Sequence, residues 1–294
     1  MEVSLQNNLI QVRISSHGAE MTSLVDLESG NQMLWNADPE YWKRHSPVLF
    51  PIVGSVWEGV YRECGKEFRL GQHGFARDME FTLLSQDGSS AYFELVSSEE
   101  THKLYPYDFR LVIGYELSGK TVKVVWKVIN PSEGEIHFQI GAHPAFLLRN
   151  EDKIIGGAFR LKLDGKAVSR IDRSVLGEKG CLTEGKNVME ISDGRIDIRP
   201  DTFNHDALVI ENSQADEVEL LDAMGNAYLS VRFAAPLFGL WAPRKDMLSP
   251  FVCIEPWYGR CDRVRYSGEY RDKDWMQHLP AGETFAVSYD IAIL

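Results

Sequence analysis

The chain is dominated by stretches in which hydrophobic and polar residues alternate. The alternation is regular in residues 109–117, 122–128 and 285–291. Because successive side chains of a β-strand point to opposite faces of a sheet, a period of two predicts strands with one buried face. We find no long stretch with the spacing of an amphipathic helix. The pattern therefore predicts an all-β protein.

Short turn signals separate the predicted strands. Asn7 and Asn8 lie between two apolar stretches and predict a hairpin turn. Residues 38–42 and 272–276 each begin with an Asp, which predicts a short helical turn capped by that residue. No Pro- or Ser-rich linker, low-complexity segment or short repeat divides the chain. We expect one domain over residues 1–294, built as a large antiparallel β-sandwich.

The composition limits the kinds of partner. Of the 294 residues, 44% are hydrophobic and the formal net charge is −12. This is typical of a globular protein, and it argues against nucleic acid or an anionic membrane as main partner. No apolar run approaches the roughly 20 residues that span a bilayer, and residues 1–6 do not resemble a signal peptide. We therefore expect a cytoplasmic protein with reduced thiols.

Three short phrases place a titratable residue beside Gly or Pro and an aromatic residue, and their centres are His73, His143 and Glu255. Pro144 interrupts strand pairing, which predicts that His143 lies at a strand end open to a cleft. Glu255 ends an apolar strand, where desolvation raises the pKa of a carboxyl toward the range that suits a general base. His73 can donate to a ligand hydroxyl, with the Phe75 ring against the apolar side of a sugar. Each feature alone is also typical of a structural residue, but together they predict a site that moves the protons of a sugar.

Four further residues can complete such a site. Arg44 has a planar guanidinium that can bind vicinal hydroxyls or a phosphate, unless it is a solvated surface charge. Asp206 stands at a predicted strand start and either accepts from sugar hydroxyls or caps a turn. Trp241 and Trp257 are either platforms for a sugar ring or ordinary core residues.

Other chemistries are either excluded or left open by the motifs. There is no nucleotide-binding GxGxxG, no GxSxG elbow, no HExxH and no Cys/His cluster. However, His73, His143 and Glu255 can form a two-His-one-carboxylate metal site. Asp206 with Glu255 can also form the carboxylate pair of a glycosidase.

These residues make the chain resemble the aldose 1-epimerase (galactose mutarotase-like) family. The likeness is carried by His-Gly-Phe-Ala-Arg-Asp at 73–78, Gly-Ala-His-Pro-Ala-Phe at 141–146 and Glu-Pro-Trp at 255–257. Residues 46–54 and 239–243 extend it over almost the whole chain. The resemblance implies the large antiparallel sandwich of that family, in agreement with the alternating pattern.

The resemblance also implies roles for the candidate residues. Glu255 matches the general base and His143 the general acid, while His73 and Asp206 match sugar-binding residues and Arg44 is a weaker match to the substrate site. In the implied reaction the C1 hydroxyl loses a proton, the ring oxygen gains one, and the opened aldose closes as the other anomer. We expect the acid and the base on opposite sides of the anomeric carbon. No metal or nucleotide cofactor is implied, and the partner is a small sugar bound by a monomer or homodimer.

One departure leaves the substrate open. Relatives often carry a basic residue just after the Val53-Gly54 turn, where residues 55–58 of this chain have none. The alternatives are therefore a sugar-phosphate 1-epimerase and a non-catalytic carbohydrate-binding or sensing protein on the same fold.

Overall fold

A computed structural model describes residues 1–151, 154–243 and 248–294, with backbone alone at residues 150, 151, 154 and 155. Strands dominate it, as the alternating pattern predicts. In chain order they are β1 (Glu2–Gln6), β2 (Ile10–Ser15), β3 (Glu20–Asp26), β4 (Val48–Leu49), β5 (Val60–Glu63), β6 (Lys66–Arg69), β7 (Thr82–Gln86), β8 (Ser90–Val96), β9 (Arg110–Ser118), β10 (Thr121–Ile129), β11 (Ile136–Phe138), β12 (Ile140–Ala142), β13 (Ala145–Leu147), β14 (Asn150–Glu151), β15 (Ile154–Ile155), β16 (Gly157–Leu163), β17 (Lys166–Ala167), β18 (Arg170–Leu176), β19 (Leu182–Glu190), β20 (Arg195–Ile198), β21 (Leu208–Glu211), β22 (Glu217–Leu221), β23 (Ala227–Phe233), β24 (Leu237–Trp241), β25 (Phe251–Tyr258), β26 (Gln277–Leu279) and β27 (Thr284–Ile293).

Helical structure in the described ranges is limited to α1 (Glu99–His102) and four short 3₁₀ turns. These turns are Trp57–Gly59, Ala76–Asp78, Glu178–Gly180 and Tyr270–Asp272. Across all three described ranges, no helix has the length and apolar character needed to cross a membrane.

The three turn predictions have different outcomes. The hairpin turn after β1 forms, and the Asn7 side chain accepts from the Ile10 N–H at 2.9 Å. The turn at 38–42 also forms, with the Glu40 N–H donating to the Asp38 carboxylate at 2.9 Å. A turn also forms within 272–276, with the Met276 N–H donating to the Lys273 carbonyl at 3.3 Å, but Asp272 belongs to the preceding 3₁₀ turn Tyr270–Asp272.

Two antiparallel sheets form the sandwich. Sheet I has the order β17-β16-β22-β23-β27-β10-β9-β8-β7, with β20 added beside β16. Sheet II has the order β19-β18-β21-β24-β25-β12-β4, with β13 also paired to β25. In sheet I the last strand, β27, lies between β10 and β23 and so joins the two halves of the chain.

The apolar faces of the two sheets share one core. Trp126 of β10 and Phe159 of β16 in sheet I belong to the same buried cluster as Ile254 of β25 and Leu240 of β24 in sheet II. Burial at about 25 cal/mol per Å² of apolar surface makes this contact the main stabilising term of the fold. The opposite face of sheet II carries the polar residues of the candidate site.

Candidate active site

A cleft lies on the face of sheet II that points away from the shared core. Side chains of β25 alternate, so that Val252 and Ile254 enter the core whereas Cys253, Glu255 and Trp257 face the other way. The cleft has a volume of about 300 Å³, which lies in the range of small-molecule sites. Its lining includes four of the five titratable or charged residues singled out from the sequence: His73, His143, Asp206 and Glu255.

His143 reaches Glu255 through a gap in the strand ladder. β12 pairs with β25 through Gly141 opposite Trp257, and β13 resumes the pairing with Ala145 opposite Cys253. Pro144 has no N–H, so it cannot continue the ladder between them. His143 therefore stands opposite Glu255, and its Nε2 lies 3.3 Å from a Glu255 carboxylate oxygen.

Burial shifts the pKa values of this pair in opposite directions. His143 is 7% exposed and Glu255 is 1% exposed. Desolvation, together with the smaller effects of the Arg77 and Arg44 charges, lowers the pKa of His143 to about 3. Desolvation raises the pKa of Glu255 well above its usual value, with a further contribution from Asp206. Both shifts favour the neutral pair, in which the Glu255 carboxyl is protonated and the His143 imidazole is uncharged.

His73 is held in a single tautomer by the backbone of Gly54. The Gly54 backbone N–H donates to His73 Nδ1 at 3.1 Å, and the backbone N–H of His73 donates to the Gly54 carbonyl at 2.7 Å. Since burial also lowers the pKa of His73 well below its usual value, the ring is neutral and its proton is on Nε2. Gly54 has φ of +72°, and a Cβ there would lie 2.6 Å from Cys261. The sequence prediction of a hydrogen-bond donor at His73 therefore has a structural basis.

Tryptophans, and not Phe75, supply the aromatic walls. Phe75 is buried in the shared core, so the expected contact of its ring with a sugar was wrong. Trp241 and Trp257 line the cleft, together with Trp42. The Trp42 ring stacks on His143 with centroids 4.8 Å apart.

The cationic residues are arranged differently from the sequence expectation. Arg44 is absent from the described lining of the cleft, and its guanidinium pairs with Asp78 at 2.8 Å. Arg77 lies 3.8 Å from the same carboxylate and also lines the cleft. Burial and the nearby Arg44 lower the pKa of Arg77 to about 10. Arg44 therefore acts on the cleft through its field, and its contact with a substrate stays a prediction.

Sequence reasoning missed Trp42 and Arg260 as lining residues. Arg260 is buried and forms ion pairs with Glu211 at 2.5 Å and Asp274 at 2.6 Å, so its charge is compensated. A signal for Trp42 existed, because it lies two residues before Arg44. The available signal for Arg260 was its neighbour Gly259.

Two groups of described residues have ligand atoms close enough to hold a metal ion. One consists of His143, Cys253 and Glu255, and the other of Glu135, His137 and His278. The triad expected from the sequence differs, because Cys253 stands in the place that we gave to His73. Asp206 and Glu255 share the cleft, but Asp206 is exposed at the rim and its carboxylate accepts from the Ala207 N–H at 2.9 Å.

Comparisons of the sequence with known proteins agree on one family. The sequence profile described as aldose 1-epimerase matches residues 1–178. Protein LacX of Lactococcus lactis is 31% identical over 303 aligned positions that cover all of both chains. A putative glucose-6-phosphate 1-epimerase of Escherichia coli is 29% identical over 221 positions, which cover 72% of this chain and 66% of that one.

A solved structure agrees over the full length. A galactose mutarotase related enzyme from Lactobacillus acidophilus superposes with a TM-score of 0.91 and 32% identity, covering 100% of this chain and 97% of that one. A galactose mutarotase-like protein from Lactobacillus casei, at 23% identity, has the same fold with a TM-score of 0.90.

Proposed function

The chain belongs to the aldose 1-epimerase family, and on that premise we propose that it interconverts the α and β anomers of an aldose by general acid–base catalysis. The observation that carries the proposal is the contact of 3.3 Å between His143 and Glu255 in a cleft of sugar size. An acid and a base that exchange a proton with a substrate must lie within hydrogen-bond reach of it. A binding protein has no comparable need for two adjacent, buried and titratable groups.

The proposed reaction uses the pair in its one-proton state. The carboxylate form of Glu255 takes the proton of the C1 hydroxyl, while protonated His143 gives its proton to the ring oxygen. The C1–ring oxygen bond breaks and the open aldehyde forms. Rotation about C1–C2 and closure with the proton transfers reversed then give the other anomer. No proton is gained or lost overall.

The positions of the two groups change one expectation. We expected the acid and base on opposite sides of the anomeric carbon, but the structure has them side by side. This arrangement suits the reaction, because the C1 hydroxyl and the ring oxygen are bonded to the same carbon. Burial favours the proton on Glu255, so substrate binding must move it across the contact to His143. Hydrogen bonds from sugar hydroxyls to the carboxylate favour that transfer.

Substrate binding is assigned to the remaining residues of the cleft. His73 presents an Nε2–H donor to a hydroxyl, because Gly54 occupies its Nδ1. Asp206 at the rim accepts from hydroxyls, and the Trp241 indole supports the apolar side of the sugar.

An aldose that carries a phosphate is the second candidate substrate. Arg77 lines the cleft, with Arg44 close enough to lower its pKa. A guanidinium is well suited to bind a phosphate. The Escherichia coli relative that is called a putative glucose-6-phosphate 1-epimerase supports the same idea.

Exchange spectroscopy by NMR across a panel of free and phosphorylated aldoses tests the proposal. We expect faster exchange between α and β resonances for at least one aldose when catalytic amounts of the protein are added. A larger kcat/KM for the phosphorylated form would favour the second candidate. Saturable binding without faster exchange would support a carbohydrate-binding protein, and release of an alcohol from a glycoside would support a glycosidase.

A further inference from the structure

A buried thiol lies beside the proposed acid and base. Cys253 Sγ, a ring nitrogen of His143 and a carboxylate oxygen of Glu255 all lie within 4.8 Å of one another. The arrangement follows from the fold, because Cys253 and Glu255 are two positions apart on one face of β25 and His143 stands opposite them in the ladder gap. Cys253 is fully buried and has no part in the proposed proton transfers.

The group has unused coordination capacity. His143 Nδ1 and Glu255 Oε1 are buried atoms for which the described part of the chain offers no hydrogen-bond partner. Buried polar atoms are satisfied in the great majority of cases, so each exception needs an explanation. Both belong to side chains more than nine-tenths buried, and both residues line the cleft.

The ligand types select a class of ion. A thiolate, an imidazole and a carboxylate form the mixed donor set that zinc and other thiophilic divalent cations accept. Mg²⁺ and Ca²⁺ instead prefer oxygen ligands alone. Thiolate and carboxylate together neutralise a divalent cation, so the occupied site carries no net charge, which suits a buried position.

We propose that His143, Cys253 and Glu255 form an inhibitory site for a thiophilic divalent cation such as Zn²⁺. The inhibition rests on the proposed function, whereas the binding does not. On coordination the Cys253 thiol and the Glu255–His143 pair each release one proton to solvent, and metal–sulfur, metal–nitrogen and metal–oxygen bonds form. Proton transfer to a sugar then stops, because the metal occupies the lone pairs of both the acid and the base.

A second cluster requires control in any experiment. His137 Nδ1 and His278 Nδ1 lie 2.9 Å apart, and Glu135 lies near them. That cluster contains no sulfur, and His278 and Glu135 are exposed. Cys64 is an exposed thiol that can also bind a soft metal. A background protein with Cys64→Ser and His278→Ala removes both sources.

Cd²⁺ titration tests binding without reference to activity. In the background protein we expect a thiolate-to-metal charge-transfer band that saturates at one equivalent per chain. The band should disappear when Cys253→Ala is added. If the Ala protein folds poorly, Cys253→Ser serves as the second variant, because Ser has a volume similar to that of Cys. A band that survives both changes would overturn the site.

Inhibition is measured on the same proteins after treatment with a chelator. We expect Zn²⁺ to slow anomer exchange, Mg²⁺ to have no effect, and Cys253→Ala to weaken the inhibition by Zn²⁺ at least about tenfold, because loss of even an outer-shell partner of a metal site costs about 10–100-fold in affinity. Equal inhibition of both proteins, or a chelated enzyme that needs Zn²⁺ for activity, would overturn the inhibitory role. A Cd²⁺ band without any epimerase activity would contradict the proposed function and leave the metal site in place.

Discussion

Glu255 and His143 have pKa values displaced in opposite directions by one cause, which is burial without full hydrogen bonding. Groups with such shifts are concentrated at functional sites, because the same environment that tunes a proton-transfer group makes its charged form costly. The pair therefore destabilises the fold at pH values where its members are charged in the unfolded chain. This cost is measurable.

Glu255→Gln should stabilise the protein at alkaline pH. The folded pKa of Glu255 is raised above its usual 4.5, so its contribution to stability is complete below pH 4.5 and is lost as the pH rises. Gln cannot ionise and avoids that loss. Since one pKa unit corresponds to about 1.4 kcal/mol, we expect a gain in the free energy of unfolding of at least about 1 kcal/mol at pH 8. Urea titrations at pH 4 and pH 8 measure it, and a gain that does not grow with pH would contradict the assignment.

The two histidines should respond differently to substitution. His143→Asn removes the group that protonates the ring oxygen in the transition state, so kcat should fall by about 10²-fold or more. His73→Asn removes a hydrogen bond that also acts in the ground state, so KM should rise by up to about tenfold with a smaller loss of kcat. Steady-state kinetics of both variants decide the matter. A larger loss of kcat for His73→Asn, with KM unchanged, would show that the roles are reversed or shared.

The sequence identifies the residues of the cleft that carry local signals. His73, His143 and Glu255 each stand beside Gly or Pro, which marks the end or interruption of a strand. Arg77 has no Gly or Pro neighbour, and Arg260 follows Gly259 but was not singled out. The packing of distant segments brings both residues to the cleft. Closeness in the sequence can also mislead, because Phe75 lies two residues after His73 but its ring is buried in the core.

At the scale of elements, β24 and β25 build the floor of the cleft. Gly239 of β24 pairs directly with Glu255 of β25. A Cβ at Gly239 would lie 2.3 Å from the indole of Trp257. The absence of a side chain there lets the Trp257 ring lie flat against the strand. Gly141 of β12 also makes room for this ring, since a Cβ there would lie 2.6 Å from the same indole. The position of this wall thus depends on two glycines.

Gly239→Ala should disturb the cleft. The added methyl group displaces Trp257, and overpacking of this kind costs about 1–3 kcal/mol of stability. Because small misplacements of binding groups reduce rates steeply, we expect kcat/KM to fall by about tenfold or more. Gly88→Ala is the matched control, since nothing lies within 4 Å of its added Cβ. Unchanged kinetics in a folded Gly239→Ala protein would argue against a role for Trp257.

Strands were predictable from period-two patterns, but their order was not. Residues 109–117, 122–128 and 285–291 were recognised as strands because each keeps one apolar face. Nothing in those patterns states that β27 inserts between β10 and β23, since sheet order depends on contacts between distant residues. The turn within 272–276 was predictable from its polar residues, whereas the 3₁₀ turn Tyr270–Asp272 just before it was not predicted.

In the molecule as a whole, strands from both halves of the chain share sheet I. This sharing predicts one cooperative unfolding transition, because neither half can keep its core without the other. Differential scanning calorimetry should give a calorimetric enthalpy equal to the van't Hoff enthalpy. Two resolved transitions would show that the chain is not a single domain. The cytoplasmic location and the monomeric or dimeric state stay predictions.

The central claim is that the Glu255–His143 pair interconverts anomers, and exchange spectroscopy of the wild-type protein beside Glu255→Gln tests it most directly. Gln keeps the shape of the side chain and removes its basicity. With the aldose that the wild type turns over best, we predict that the variant binds the sugar but exchanges its anomers about 10²–10⁴-fold more slowly, which is the contribution of a general base. A folded Glu255→Gln protein with near-normal exchange would contradict the account.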